Sequence, residues 1–143
     1  MNSTNTIHAK AYFNLLKTGS WIEQEVKKAL KPFNLTHAQL NVLYILHQHT
    51  PEAVSASKVK EQITVSNPDI TRLLDRLVNK ELVTRETCPN NRRSIDIALT
   101  DKGQALFLEA HKATKKALGN FFENQITEEE AVQLRKILHK IGP

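Results

Sequence analysis

Apolar residues recur at three- and four-residue spacing along much of this sequence, a pattern that predicts a mainly helical fold. The first such stretch runs from about Thr6 to Leu30, and lysine and glutamate occupy its opposite face. Pro32 is expected to end this helix, because the residue before a proline avoids the helical region. The apolar stripe consists of Tyr12, Leu15, Leu16, Gly19, Ile22, Val26 and Leu30. A continuous stripe of this length favours packing against a partner helix.

A capping box marks the start of the second helix. Thr36 stands at the cap position and Gln39 three residues later, and the helix is expected to reach about His49. Its apolar residues are Leu40, Val42, Leu43, Ile45 and Leu46. Because they cover most sides of the helix, they predict a buried central position.

The C-terminal part of the chain has two more helix starts. Thr100 is predicted to cap a long helix whose first turn holds Asp101, where a negative charge suits the helix dipole. Thr127 and Glu130 form a second capping box, which opens the last helix. The residues of that helix expected to face inward are Ala131, Leu134, Ile137, Leu138 and Ile141.

Between these helices the sequence predicts a helix-turn-helix. Ser55 is suited to cap a short helix, Ala56 to Ile63. Ser66 or Asn67 is suited to cap the next, with Pro68 in the first turn, where proline is tolerated. The apolar face of this second helix comprises Ile70, Leu73, Leu74 and Leu77, and the opposite side comprises Pro68, Arg72, Asp75, Arg76 and Asn79. Two helices joined by so short a turn form the helix-turn-helix unit.

A β-hairpin is predicted after the helix-turn-helix. Residues 82–87 form a plausible strand, and Ile95, Ile97 and Leu99 alternate with polar or small residues, as in a half-buried strand. The residues between the strands, Cys88 to Arg93, are expected to form a loop with two arginines at its end. A helix-turn-helix followed by a hairpin is a winged helix.

Composition and charge narrow the function only slightly. The chain has 143 residues with a net charge of +5, which favours a polyanionic partner. Residues 55–103, however, carry nine basic and seven acidic residues, so the excess is not concentrated there. A single cysteine suits a reducing cytoplasm, and neither a membrane span nor a signal peptide is recognisable. We therefore expect a cytoplasmic protein. Binding to nucleic acid is indicated only by the positions of particular basic residues, not by the net charge.

With the winged helix in place, the sequence resembles the MarR family of bacterial transcription regulators over nearly its whole length. The matching pieces are Ile-Thr-Arg-Leu-Leu-Asp-Arg-Leu at 70–77, Leu-Val at 82–83, Asn-Arg-Arg at 91–93 and Leu-Thr-Asp-Lys-Gly at 99–103. Family members typically show Asp-x-Arg at the wing tip and Leu-Thr-x-x-Gly at the following helix. Three residues depart from the family pattern: Asn91 replaces an acid, Glu81 replaces a glycine expected to be left-handed, and Cys88 replaces an aspartate.

The resemblance implies a mainly α fold with a small β-hairpin wing, in a single MarR-like domain spanning 1–143. Within it, 1–34 and 104–143 would form a helical dimerisation region and 35–103 a winged helix-turn-helix for DNA. It further implies a homodimer on palindromic double-stranded DNA and, as in many members, a ligand or oxidant that weakens DNA binding. Of the two kinds of regulator, we expect a repressor rather than an activator. No cofactor is implied.

Eight residues are candidates for DNA contact. Arg72 and Arg76 could read guanine in a major groove, and the alternative is an ion pair with Asp69 or Asp75. The arginines of the wing suit a minor groove, or could be merely solvated. Residues at the start of the helix suit phosphate, or act only as caps. The set is Ser66, Asn67, Pro68, Thr71, Arg72, Arg76, Arg92 and Arg93.

Other classes of function have less support. The six histidines form no metal-binding motif, and no nucleophile elbow or phosphate-binding glycine loop predicts an enzyme. Cys88 could sense oxidation, but no second cysteine could resolve a sulfenic acid. Tyr12, Phe13, Trp21 and Tyr44 could line a pocket for a small aromatic ligand, or could be core residues. The main alternative is a winged-helix dimer that binds protein and has no specific DNA site.

Overall fold

The computed structural model describes residues 6–64, 69–88 and 90–142, except for the side chains of Cys88, Asn91 and Arg92. Its helices are α1 (Ile7–Leu30), α2 (His37–His49), α3 (Ala56–Gln62), α4 (Ile70–Asn79), α5 (Asp101–Phe122) and α6 (Glu128–Ile141). Its strands are β1 (Val54–Ser55), β2 (Val83–Cys88) and β3 (Asn91–Leu99). The predicted fold class, mainly α with a small hairpin, is confirmed. None of the described helices is long and apolar enough to cross a membrane.

The chain divides into two compact units. One comprises Met1–Ala29 with Ala113–Pro143, and the other comprises Leu30–Lys112. Helix α5 begins in the second unit and ends in the first. The assignment of 1–34 and 104–143 to dimerisation and of 35–103 to DNA stays a prediction, since compactness does not show what each part binds.

Helix α2 lies at the centre of the second unit, as predicted. Leu43 and Leu46 are almost completely buried, and so are Val59 of α3, Leu77 of α4 and Ile97 of β3. The predicted capping box is present, since the side chains and backbone amides of residues 36 and 39 exchange hydrogen bonds of 3.1 Å. The core of this unit is therefore built around α2 and contacted by the helix-turn-helix and the sheet.

The helix-turn-helix is confirmed, but its second helix starts later than expected. Ser55 caps α3, accepting a hydrogen bond from the amide of Lys58. Asp69 caps α4, accepting from the amide of Arg72, so the expectation that Ser66 or Asn67 caps this helix is wrong. Aspartate is as good an N-cap as serine or asparagine, and it stands nearest the first apolar residue of the helix.

The hairpin extends further than the sequence suggested. β2 reaches Cys88 and β3 begins at Asn91, so both strands extend into the predicted loop from Cys88 to Arg93, and that loop is wrong. A third strand, β1, pairs with β3 and gives the sheet order β1-β3-β2. β1 has two residues, too few to show an alternating pattern. Ile97 is buried as expected, whereas Ile95 is 40% exposed because it lies toward the tip of the wing.

The first unit exposes most of its apolar side chains. Trp21 of α1 contacts Phe121 of α5, with ring centroids 4.0 Å apart, and Val26 is buried. The capping box of Thr127 and Glu130 is present as predicted, but α6 contains no buried residue. The expectation that its apolar face points inward is wrong within one chain. The exposed apolar residues of α1 and α6 include Tyr12, Phe13, Leu15, Leu16, Leu134, Ile137, Leu138 and Ile141.

Candidate nucleic-acid interface

Helix α4 buries its apolar side and exposes two arginines on the other. Leu74 and Leu77 are buried at 3% and 0% exposure, whereas Arg72 and Arg76 lie four residues apart on the exposed side. Among the residues that the structure describes, no acid pairs with either guanidinium group. These two cations are therefore available to an external anion or hydrogen-bond acceptor.

The nearby acids have other partners. Asp69 accepts a hydrogen bond of 3.1 Å from the backbone amide of Arg72 as the helix cap. Asp75 pairs through Oδ1 with Nη1 of Arg85 on β2. The alternative in which Asp69 or Asp75 neutralises the helix arginines is thus wrong. Arg85 is not recognisable from the sequence, because nothing in a strand residue ten positions away indicates that it reaches back to the helix.

An open groove lies between α3 and the start of α4. It has a volume of about 380 Å³, and its lining residues are Ala56, Ser57, Lys60, Asp69, Ile70 and Thr71. Thr71 is exposed in the first turn of α4, where a hydroxyl group can reach a phosphate. The candidates Ser66, Asn67 and Pro68 lie outside the described residues. The amide of Arg72 is occupied by Asp69, so this helix start offers phosphate one amide fewer than expected.

The wing places Arg93 at an irregular part of the hairpin. In the ladder, Thr87 pairs with Ile95 while Cys88 pairs with Asn91, so the register shifts between Thr87 and Cys88. Such a shift in register redirects side chains near a strand's end. Arg93 is exposed there. The side chain of Arg92 is outside the described set, so its role stays a prediction.

The end of α4 is fixed to the start of α5 by three consecutive carbonyl groups. The side chain of Lys102 donates to the carbonyl oxygen of Lys80 at 3.1 Å. Thr100 donates through Oγ1 to the oxygen of Glu81 at 2.7 Å and through its amide to the oxygen of Leu82 at 3.1 Å. Thr100 Oγ1 also accepts from the amide of Gly103 at 2.9 Å, as the predicted cap of α5. The helix with the two arginines is thereby held against a helix that continues into the other unit.

Glu81 has the left-handed backbone expected where the family has glycine. Its φ is 61°, its amide donates to the carbonyl oxygen of Val78, and the amide of Leu82 donates to that of Leu77. Such an end satisfies the last carbonyl groups of the helix, but a side chain at this φ is strained.

Glu81→Gly is expected to raise the free energy of unfolding by about 1 kcal/mol, because glycine adopts this φ without a steric penalty. The carboxylate contributes little, since it is 84% exposed and lies 3.9 Å from the Lys102 ammonium group. Urea unfolding measures the change. Asn34→Gly is the matched control, because Asn34 also has a positive φ (52°) but asparagine tolerates it. If the free energy of unfolding rises no more for Glu81→Gly than for Asn34→Gly, the backbone at Glu81 is not strained.

No described group of three or more histidine, cysteine or acidic side chains could hold a metal ion. His47 and His111 both contact the ring of Phe107, at 4.8 and 5.2 Å between centroids, and Tyr44 lies 5.7 Å from His111. Nδ1 of His47 is buried without a hydrogen-bond partner in the part of the chain that is described. This aromatic cluster belongs to the packing of α2 against α5.

The arrangement matches a known family. Residues 35–95, from the start of α2 into β3, match the model of the MarR family. Over these residues the chain is similar to the MarR family. A MarR-family transcriptional regulator from Rhodococcus sp. RHA1 has 29% identity and a TM-score of 0.79, with 96% of this chain and 95% of that chain covered.

Two other MarR-family structures share the fold. AbsC, a transcriptional regulator from Streptomyces coelicolor, has a TM-score of 0.87 at 23% identity, over 95% of this chain and 93% of its own. A mutant of E. coli MarR in complex with operator DNA has a TM-score of 0.80 at 24% identity, over 100% of this chain and 99% of its own. The chain therefore shares the winged-helix fold of these MarR-family structures.

Proposed function

We propose that this chain is a homodimeric, sequence-specific DNA-binding regulator of transcription that acts as a repressor. The observation that carries the proposal is the pair Arg72 and Arg76, exposed on α4 with no described acid to neutralise them. The operator complex of the E. coli relative supports DNA as the partner. Each subunit places α4 in a major groove, where arginine can bind guanine O6 and N7 together.

The wing contributes a second contact. Arg93 lies where the hairpin is irregular, in reach of the minor groove beside the one that α4 occupies. A narrow A·T-rich minor groove concentrates negative potential and attracts an arginine side chain. The ion pair of Asp75 and Arg85 supports this arrangement, because it ties the wing strand β2 directly to α4. Helix and wing then bind as one surface.

A second copy of the chain covers the exposed apolar faces of α1 and α6. Ile137 and Ile141 are 57% and 65% exposed, and Tyr12 and Leu16 are 57% and 53% exposed. So many exposed large apolar residues on two helices are unusual for a monomer and typical of an interface. A two-fold dimer places two recognition helices about 10–10.5 bp apart, which matches a palindromic operator.

The response to a ligand follows from the family resemblance. In the first unit Phe13 and Trp21 are exposed on α1. In the second unit Tyr44 is 39% exposed on α2, so none of the three is a core residue of the single chain. Such aromatic side chains offer apolar contact to a small aromatic ligand. Binding of that ligand relieves repression by favouring a form of the dimer with lower affinity for DNA.

A salt titration tests the proposal directly. Purified chain is mixed with random duplex DNA and with the duplex upstream of its own coding sequence, and its molar mass is measured by light scattering. We expect a dimer, preference for one duplex, and an affinity that falls about 10³-fold between 50 and 200 mM salt if some six phosphates are contacted. A chain that has no duplex affinity at low salt is not a DNA-binding regulator, and would instead fit the protein-binding alternative.

A further inference from the structure

The side chain of Lys80 connects the end of α4 to the segment before α2. Lys80 is the C-cap residue of α4, and its ammonium group donates hydrogen bonds to the backbone oxygen of Asn34 and to Oε1 of Gln39. Gln39 is 2% exposed. The bond to Gln39 therefore joins the end of α4 to the interior of the second unit, Leu30–Lys112, at a residue 41 positions back along the chain.

The segment that receives these bonds is itself well defined. Oε1 of Gln39 also accepts from the amide of Thr36, and Oγ1 of Thr36 accepts from the amide of Gln39. Asn34 has a left-handed backbone, and its amide donates to the carbonyl oxygen of Lys31 at 3.1 Å. The ammonium group of Lys80 thus binds two acceptors whose positions are set by their own hydrogen bonds. Hydrogen bonds to two acceptors in fixed positions hold the end of α4 in place.

The charged form of Lys80 is less favoured in the fold than in water. Burial lowers the pKa of Lys80, and the neighbouring cation Arg76 lowers it further, so the charged form is disfavoured in the fold. Both acceptors are neutral oxygen atoms, and no described carboxylate compensates the charge. Replacing a partly buried charge by an apolar side chain of similar length is often neutral for stability. An apolar residue in place of Lys80 could not donate these directional hydrogen bonds.

We propose that Lys80 is a positioning residue for DNA recognition, which sets the place of α4 through Asn34 and Gln39 without itself binding DNA. The inference rests on the proposed function, because it concerns where Arg72 and Arg76 stand when α4 enters the major groove. Lys80 lies one turn beyond Arg76 and donates its amide to the carbonyl oxygen of Arg76. A shift of the helix end therefore moves the arginine relative to the bases.

Lys80→Met tests the proposal, with the duplex that the wild-type chain selects from a random library as the specific probe. Affinity for this duplex is expected to fall about tenfold, because a displaced arginine loses a bidentate base contact. Affinity for random DNA and the slope against salt stay unchanged, and so does the urea midpoint. Lys28→Met removes an equal charge from a 74% exposed lysine of α1 and should change none of these.

Three results overturn the inference. Equal losses on specific and random DNA, with a salt slope smaller by about one, make Lys80 a phosphate contact. Unchanged affinity for both the specific and the random duplex removes any role in recognition. A lowered urea midpoint with unchanged affinity per folded molecule makes the role purely structural. If the wild-type chain binds no duplex, the proposed function itself is wrong. This outcome differs from the three above because it is observed with the wild-type chain alone.

A second variant tests the anchor without removing the lysine. Gln39→Glu preserves the capping box, in which glutamate is equally suitable, and replaces a neutral acceptor by a carboxylate that binds ammonium more strongly. Specific affinity is expected to rise by up to about threefold in the wild-type background, in line with a modest coupling between two contacting sites. In the Lys80→Met background the gain disappears. An identical effect of Gln39→Glu in both backgrounds overturns the inference, because the two residues then act independently.

Discussion

Gly103→Ala is expected to lower the free energy of unfolding by about 3 kcal/mol, the upper end of what one inserted carbon usually costs. A Cβ at this position would lie 2.0 Å from the carbonyl oxygen of Leu82 and 2.9 Å from its carbonyl carbon. Both are backbone atoms, and the same oxygen accepts the amide of Thr100. Relief of the clash therefore requires α5 to move away from the end of α4. Urea unfolding measures the loss, and specific DNA affinity should fall with it.

Gly119→Ala is the matched control in the same helix. A Cβ there meets only the Glu123 carboxylate, at 3.5 Å, which is ordinary contact. Because alanine favours a helix interior over glycine, this variant should be more stable than the wild type by up to about 1 kcal/mol. If Gly103→Ala is as stable as Gly119→Ala, α5 does not lie as close to the Leu82 carbonyl group as the structure indicates.

The close approach at Gly103 gives a physical reason for the Leu-Thr-x-x-Gly pattern. Thr100 donates to two successive carbonyl groups at the end of α4 and caps α5 with the same hydroxyl group. The glycine three residues later leaves room for that contact. The pattern thus encodes a junction between the recognition helix and the long helix that leaves the winged-helix unit.

Local signals in the sequence predicted local structure well. The capping boxes at Thr36 and Thr127 are present as predicted. Each depends on residues within four positions, so the sequence contains the whole cause. The start of α4 was wrong because Asp69 and its polar neighbours are all good caps, and only one of them can precede the first turn.

Contacts between distant segments could not be predicted. The bonds of Lys80 to Asn34 and Gln39, and the pair of Asp75 with Arg85, join residues that no spacing rule connects. The apolar face of α6 was predicted to point inward, because periodicity shows that a face is apolar but does not show what covers it. In one chain that face is exposed. The family resemblance supplied what periodicity lacked, a second copy as the expected partner.

Arg72→Ala is expected to weaken binding to the selected duplex about tenfold or more, since one bidentate contact to guanine is worth about 1–3 kcal/mol of discrimination. The side chain is exposed on α4, close to the helix start, and pairs with no described acid. Loss of a base contact relaxes the preference at one position of each half-site. Loss of a mere phosphate contact would weaken all sequences alike.

Selection of bound duplexes from a random library, repeated with the Arg72→Ala chain, distinguishes these cases. The expected result is a profile in which one symmetric pair of positions loses its guanine preference while the others keep theirs. Arg135→Ala removes an exposed arginine from α6, far along the chain from the helix-turn-helix, and should leave the profile intact. An unaltered profile for Arg72→Ala would show that this arginine reads no base. Base recognition by α4 would then rest on Arg76, whose guanidinium also lacks a described acid partner.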